Sequence, residues 1–314
     1  MKKFILNILI ISSLLLFFIV GSVLMIPKDN NDYLCEYEIK LDKMKNTKSP
    51  RYIFLGGSNL AFGLDSKRIQ DSLNVNVVNM GLHAGLGIRF PMNSIKPFVR
   101  KGDVIVLSIE YENFFNGQSE GGAENLSKLM ISSDWSGFCN LDNIQKINVL
   151  KDLPAQSLLN IMRLHKYIVG VPFDTPAAKE KYNYLKSGFN KYGDEVSHWS
   201  LPSDVPKLVI NRLNRDWKYD GDFENFLVDM IQSYKDSGAH VVMLPPVVAK
   251  SSYEGIEKYV DYLKLRLKRR GILYTSKPKS FVLQDNMFYN TIYHCNKMGV
   301  DKNTNNIISI FRKK

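Results

Sequence analysis

Three short apolar runs separated by amphipathic stretches constrain the fold of this chain most strongly. They cover residues 52–56, 75–80 and 103–110, and the third, DVIVLSIE, is almost continuously hydrophobic, as a strand buried on both faces should be. Helical patterns over residues 64–73 and 88–99 lie between them. This alternation predicts an α/β domain on a doubly wound parallel sheet.

The alternation returns near the C-terminus after a long interval. We predict a helix at 223–237, a strand at 240–244, a helix at 253–270, a fifth strand region at 271–275 and a final helix at 296–311. The interval at about 114–222 has short helical patterns and no regular alternation. We interpret it as a largely helical insertion in one domain that covers residues 51–314.

The N-terminus carries the strongest shift in composition. Residues 4–26 form a nearly unbroken apolar run, long enough to cross a bilayer as a helix, with Lys2 and Lys3 before it and Pro27 after it. We predict a single-pass anchor over residues 1–27, with the body on the extracytoplasmic side. A cleaved signal peptide is the alternative and leads to the same compartment. The polar residues 28–50 are predicted to form a stalk.

The overall charge and the cysteines exclude several classes of protein. The formal net charge is +11, but the sequence has neither a zinc-finger spacing nor a continuous basic stripe, which argues against nucleic-acid binding. Cys35, Cys139 and Cys295 lack metal-site spacing, and a Cys35–Cys139 disulfide is possible only in an oxidising compartment. A flavodoxin-like nucleotide binder would need a phosphate-binding loop, which is absent. No metal or cofactor is expected.

Reactive residues follow the predicted strands, where ligands bind in a parallel α/β sheet. Ser58 follows two glycines after the first strand, and Gly81 follows the second. Asn113 follows the third strand and could supply an amide N–H. His294 stands just before the final helix and could take the Ser58 proton across the top of the sheet.

Two acidic residues also follow the third strand. Glu110 and Glu112 alternate in direction, so we expect only one of them to point at the crevice.

These positions together resemble the four conserved blocks of the SGNH/GDSL hydrolase superfamily. The matching stretches are GGSN at 56–59, NMG at 79–81, YEN at 111–113 and FYNTIYHCNKMG at 288–299. The last is similar to membrane-linked polymer-modifying members, such as alginate O-acetylation components and the D-alanine transfer protein of teichoic acids. The resemblance implies a flavodoxin-like sheet with Ser58 as nucleophile, His294 as base, and Ser58, Gly81 and Asn113 as oxyanion donors.

The acid of this family is missing at its usual place. The family has an aspartate a few residues before the histidine, whereas this chain has Asn290 there. Asp285 is the nearest upstream carboxylate and could substitute if the loop folds back. Otherwise the resemblance implies a Ser–His dyad, or a weak or inactive enzyme.

The function expected from this resemblance is acyl transfer or ester hydrolysis on a cell-surface polysaccharide through a Ser58 acyl-enzyme. It requires an acyl donor and a polysaccharide acceptor, and by analogy a multi-spanning membrane acyltransferase as partner. The alternative is a non-catalytic glycan-binding or assembly component on the same fold. Aromatic residues of the insertion could then stack on sugars: Trp135, Trp199, Trp217 and Tyr219.

Overall fold

The structure, a computed structural model, describes residues 1–25, 31–133, 135–169, 184–201 and 216–312. Helices and strands alternate along much of this part of the chain. The helices are α1 (Lys2–Met25), α2 (Glu36–Asn46), α3 (Ser58–Ala61), α4 (Ser66–Leu73), α5 (Arg89–Ile95), α6 (Ala123–Ser132), α7 (Asn143–Ile168), α8 (Gly221–Asp236), α9 (Lys250–Arg269) and α10 (Lys297–Arg312). The strands are β1 (Arg51–Gly56), β2 (Asn76–Asn79), β3 (Val104–Ser108), β4 (His240–Met243), β5 (Val248–Ala249) and β6 (Val282–Leu283).

Four of these strands form one parallel sheet in the order β2-β1-β3-β4. The chain passes from β1 outward to β2 and then returns to the other side of β1 with β3, so the strand order reverses between β1 and β3. The carboxyl ends at such a reversal form a crevice in open α/β sheets. The predicted α/β class and parallel sheet are confirmed.

The fifth strand region was predicted wrongly as a strand of this sheet. At residues 271–275, only a single parallel bridge joins Tyr274 to Met243. The next pairing, between β5 and β6, forms a separate two-stranded parallel sheet.

Both faces of the main sheet are buried. Successive side chains of β1 show this, because they point to opposite faces of the sheet. Ile53 and Leu55 of β1 pack in the core cluster that contains residues of α5, α8 and α9. Phe54, between them, packs in a second cluster with Ile69 of α4 and Ile307 of α10. The sheet is therefore a middle layer with helices on both sides, which explains the continuous apolar runs in the sequence.

A buried ion pair closes the amino end of β1 and the turn before β3. Arg51 Nη2 lies 2.5 Å from Asp103 Oδ2, and both side chains are inaccessible to solvent. The same guanidinium donates to the carbonyl oxygen of Phe98 at 2.7 Å and to that of Met44 in α2. One side chain thus ties the first strand to two neighbouring segments.

The segment predicted as a stalk packs on the domain from residue 33 onward, so that prediction is wrong there. Tyr33, Tyr37, Leu41 and Met44 are buried and recur at helical spacing among polar residues. Lys40 is also buried, and its ammonium donates to the carbonyl oxygen of Asn79 at 3.1 Å. The polar composition of residues 28–50 made this narrow apolar stripe difficult to recognise in the sequence. Residues 28–30 lie outside the described residues.

The N-terminal helix α1 is long and apolar enough over Lys2–Leu24 to cross a membrane, as a single-pass anchor or a signal sequence would be. Most of its side chains are exposed, whereas Val23, near its end, is buried. The described parts of the predicted insertion are largely helical, and α6 and α7 pack together there. All three cysteines lie in the described residues, and no disulfide joins them.

Candidate active site

Ser58 lies at the carboxyl end of β1, beside the point where the strand order reverses. Gly56 ends the strand, Gly57 makes the turn, and Ser58 begins the single turn of α3. The Ser58 hydroxyl donates to Glu110 Oε1 at 3.2 Å, and the Asn59 backbone N–H donates to the same oxygen at 2.9 Å. Glu110 follows β3, the neighbouring strand, so both strand ends contribute to one buried contact.

Glu110 takes the space that a side chain at position 57 would need. A Cβ at Gly57 would lie 2.7 Å from Glu110 Oε1, closer than such contacts allow. The absence of a side chain at position 57 therefore admits the carboxyl group to the Ser58 turn. Of the two acidic residues after the third strand, Glu110 points at the serine, whereas Glu112 accepts a hydrogen bond from the Tyr293 hydroxyl at 2.6 Å.

The Glu110 carboxyl titrates near neutrality in this environment. Burial raises its pKa to about 7, and the nearby charge of Glu112 raises it too. Hydrogen bonds from Asn59 and Ser58 oppose this rise because they favour the ionised form. At neutral pH the group beside the Ser58 hydroxyl therefore exists in both protonation states.

His294 is held in one orientation by Asn290, the residue that replaces the usual acid. His294 Nδ1 lies 2.9 Å from Asn290 Oδ1. An amide oxygen only accepts hydrogen bonds, so Nδ1 carries the proton and Nε2 keeps its lone pair. The Asn290 amide in turn donates to the Tyr184 hydroxyl at 2.9 Å, and that hydroxyl lies 3.3 Å from His294 Nδ1.

The imidazole packs against the helical turn that begins with Ser58. The rings of Phe62 and His294 stack with centroids 4.0 Å apart and an interplanar angle of 7°. Phe62 donates its backbone N–H to the Ser58 carbonyl oxygen at 2.9 Å, which places it one turn after the serine. His294 thus packs on the turn that carries Ser58, although most of the chain separates these two residues. Within the described residues, however, the Ser58 hydroxyl bonds Glu110, and no hydrogen bond joins it to His294.

His294 is a neutral group over the ordinary pH range. Burial lowers its pKa to about 3, and the neighbouring His198 and His83 lower it further. Among the residues that the structure describes, the partners of Nδ1 are an amide and a phenol, and neither carries a charge that would stabilise the protonated ring. The imidazole is therefore available as a base but poorly stabilised as an imidazolium.

The remaining predicted site residues take other partners. Asp285 Oδ1 accepts the backbone N–H of Ser251, at the start of α9, and does not contact the imidazole. Gly81 packs on the Ser58 turn, where a Cβ would lie 2.8 Å from the Gly57 carbonyl oxygen. Its N–H, however, already donates to Asn79 Oδ1 at 2.9 Å.

Asn113 is buried and lies in the short helix after β3. Its amide donates at 3.4 Å to the carbonyl oxygen of Glu110, in its own turn, and its Oδ1 has no hydrogen-bond partner. The four predicted blocks therefore converge at the carboxyl end of the sheet. Of the predicted oxyanion donors, Gly81 already has an internal acceptor, and the Ser58 turn is occupied by Glu110.

The insertion contributes residues that the sequence patterns did not reveal. Besides Tyr184, the buried His198 ring places Nε2 2.7 Å from the carbonyl oxygen of Cys295, the residue after His294. Glu195 donates its backbone N–H to the Ala61 carbonyl oxygen at 2.8 Å, on the Ser58 turn. No motif marks these positions. Only the location of Glu110 directly after a strand could have identified it beforehand.

Comparison of the chain with known protein families and with characterised proteins gives no match in either case. The assignment of function therefore depends on the geometry of the site.

Proposed function

We propose that the protein catalyses acyl transfer or ester hydrolysis through an acyl-enzyme on Ser58. The observation that carries the proposal is the orientation of His294, whose Nδ1 is held by Asn290 while its ring stacks one helical turn from the serine. A neutral imidazole has a lone pair at Nε2 that can accept a proton, so general-base activation of Ser58 requires the ring to come within hydrogen-bond distance of the serine hydroxyl. An amide in place of the acid orients the ring, as in Cys-His-Asn proteases.

Glu110 gives the site a second proton acceptor. In the resting arrangement its carboxyl holds the Ser58 hydroxyl proton and the Asn59 N–H. When Glu110 is ionised, it can take the Ser58 proton as Oγ attacks the acyl carbonyl carbon, and it returns this proton to the donor's leaving oxygen as the bond between that oxygen and the acyl carbon breaks. The carbonyl oxygen that becomes negatively charged during the attack needs the Asn59 N–H, so Glu110 has to release this N–H while it keeps its contact with the Ser58 hydroxyl.

The substrate class is a cell-surface or secreted polysaccharide with O-linked acyl groups, acetyl above all. The resemblance of the Ser58 and His294 blocks to SGNH-type polymer-modifying proteins supports this choice. The apolar α1 supports a location at the membrane, near polymer intermediates and a multi-spanning acyl donor. In this scheme Ser58 receives the acyl group and passes it to a sugar hydroxyl or to water.

A fluorophosphonate that labels activated serines tests the chemistry on the full-length protein. We expect labelling at Ser58, complete loss in Ser58→Ala and slower labelling in His294→Ala. Ser94→Ala is the matched control, because this buried serine on α5 donates to the carbonyl oxygen of Phe90 and not to a residue of the site, so Ser58 should be labelled normally in this variant. Mass spectrometry would then seek an acyl group on Ser58 and follow its release to water or to glycan.

One observation favours the non-catalytic alternative. Ser58 is only 8% exposed and its hydroxyl is engaged by Glu110. A glycan-binding or assembly protein on the same fold would leave Ser58 unlabelled while the protein remains folded. Two of the insertion aromatics proposed to stack on sugars, Trp217 and Tyr219, instead pack on Phe115, with ring centroids 4.9 and 5.9 Å away. This packing counts against a sugar-stacking role for them.

A further inference from the structure

The helix α7 buries Val149 in the core, but it also buries several polar side chains and leaves a row of aliphatic ones exposed. Four polar side chains on it are buried: Gln145, Gln156, Ser157 and Asn160. Five aliphatic side chains are about half exposed, between 48% and 61%: Ile144, Ile147, Leu150, Leu158 and Met162. A helix that packs on a soluble core shows the opposite arrangement, so α7 is not placed to use its apolar face within the domain.

The exposed aliphatic side chains line one side of α7. Ile144, Ile147 and Leu150 are three residues apart, and Leu158 and Met162 are four apart, so they form a stripe along the helix. We call these five residues the α7 stripe. Contiguous exposed apolar surface of this kind marks an interaction site.

The position of α1 identifies what covers the stripe. The two helices pack together, and Ser22 Oγ lies 2.5 Å from Ser157 Oγ. Ser22 is three residues before the end of α1, a distance of about 4.5 Å along the helix axis. Ser157 therefore lies at the depth where the apolar helix ends, and hydroxyl pairs of this kind hold helices together at membrane depth. The α7 stripe and the exposed apolar side chains of α1 therefore belong to two helices that are in direct contact.

We propose that α7 is an interfacial membrane helix, with the α7 stripe in contact with the acyl chains of the phospholipid bilayer that receives α1. Such helices bury their apolar face about 5–10 Å into the boundary between headgroups and acyl chains. Lys151 is exposed within the same face and can extend to the headgroups, where anionic lipid attracts it. The domain then contacts the bilayer through α1 and α7. These two contacts fix its orientation relative to the membrane as well as its distance from it. This inference does not depend on the chemistry of Ser58.

Depth-dependent fluorescence quenching tests the proposal on the full-length protein in phosphatidylcholine–phosphatidylglycerol vesicles. The exposed Cys139 is replaced by Ser, and an environment-sensitive fluorophore is attached to Leu158→Cys or, separately, to Met162→Cys. The matched control is Leu273→Cys, because Leu273 is 63% exposed and Leu158 is 61% exposed. The Cys139→Ser protein without an introduced cysteine measures the labelling of Cys35, and this background is subtracted.

We expect lipid-attached nitroxides to quench the probes at 158 and 162 strongly and the probe at 273 weakly, with aqueous iodide giving the reverse order. The quenching depth should be about 5–10 Å below the headgroups. Equal access of iodide to positions 158 and 273 would overturn the proposal. So would protection of position 158 from both quenchers that increases with the protein-to-lipid ratio, because it would show a second copy of the chain on this face.

Discussion

Replacing Glu110 by Gln is expected to change how the stability of the protein depends on pH. Glutamine keeps the shape of the side chain, and its amide oxygen can accept the Asn59 N–H and the Ser58 hydroxyl as the carboxyl does. It removes only the ionisation. The wild type must either bury a charge or keep a proton on Glu110 as pH rises, whereas the variant does neither.

The size of the effect follows from the pKa of Glu110, which burial raises from an ordinary 4.5 to about 7. A group whose pKa is raised on folding stabilises the fold fully below its unfolded pKa, and this contribution is lost as pH rises through the folded pKa. A pKa difference of about 2.5 corresponds to roughly 3 kcal/mol. The wild type should therefore lose roughly 3 kcal/mol relative to Glu110→Gln between about pH 4.5 and 8.

Chemical denaturation of both full-length proteins in the same detergent measures this difference across the pH range. Glu254→Gln is the control, because this carboxylate on α9 is 62% exposed and its removal should leave the pH dependence unchanged. Parallel curves for the wild type and Glu110→Gln would refute the reasoning, since they would mean that the Glu110 carboxyl ionises as freely in the folded protein as in the unfolded chain.

Two further substitutions test the site and the fold. Asn290→Asp should raise the pKa of His294 and speed phosphonate labelling of Ser58 by about 10–100-fold, less than the roughly 10⁴-fold cost of the reverse change in a serine protease, because the new carboxylate is itself partly buried; an unchanged rate would contradict the role of His294 as the base, since a charge beside the ring would then have no effect on the reaction. Asp103→Ala should lower the free energy of unfolding by about 3–5 kcal/mol, measured by denaturation, because it leaves the Arg51 guanidinium buried without its counter-ion; a loss below about 1 kcal/mol would show that water or another group reaches Arg51.

Elements with a strong local signal were predictable from the sequence. The buried runs predicted strands within one or two residues of β1 and β3, and α4 lies within the helical pattern at 64–73, with Asp65 as its cap accepting the Arg68 N–H at 3.0 Å. Gly238 follows α8 with a φ of +82°, the left-handed conformation that ends helices. The fifth strand region reaches β4 only at its end, where Tyr274 pairs with Met243 and the Thr275 N–H donates to the Met243 carbonyl oxygen at 2.9 Å. Local sequence does not determine how far such a pairing extends.

The candidate site was predictable where a residue follows a strand and unpredictable where it comes from elsewhere. Ser58 lies at the carboxyl end of β1, where ligands bind in parallel α/β sheets, and the His294 ring, which precedes α10, packs on the turn that begins with Ser58. Tyr184 reaches His294 from the insertion, which carries no periodic pattern to place it. The pairing of Ser58 with Glu110 depends on which of two alternating acidic residues faces inward, a choice made by packing and not by local sequence.

The Glu110 carboxyl occupies the space that a side chain at position 57 would need, and this has a consequence for related sequences. A Cβ at position 57 would lie 2.7 Å from Glu110 Oε1, so a side chain there displaces the carboxyl group from its present place, although the two residues stand on different strand ends. In the GDSL pattern an aspartate occupies the position of Gly57. Homologues should therefore divide into two kinds, with either an acidic residue at 57 and a short one at 110, or the reverse. Two results would support this division: co-variation of positions 57 and 110 among homologues, and a functional double exchange where each single exchange is not functional. They would show that one acidic function can be supplied from the end of either β1 or β3.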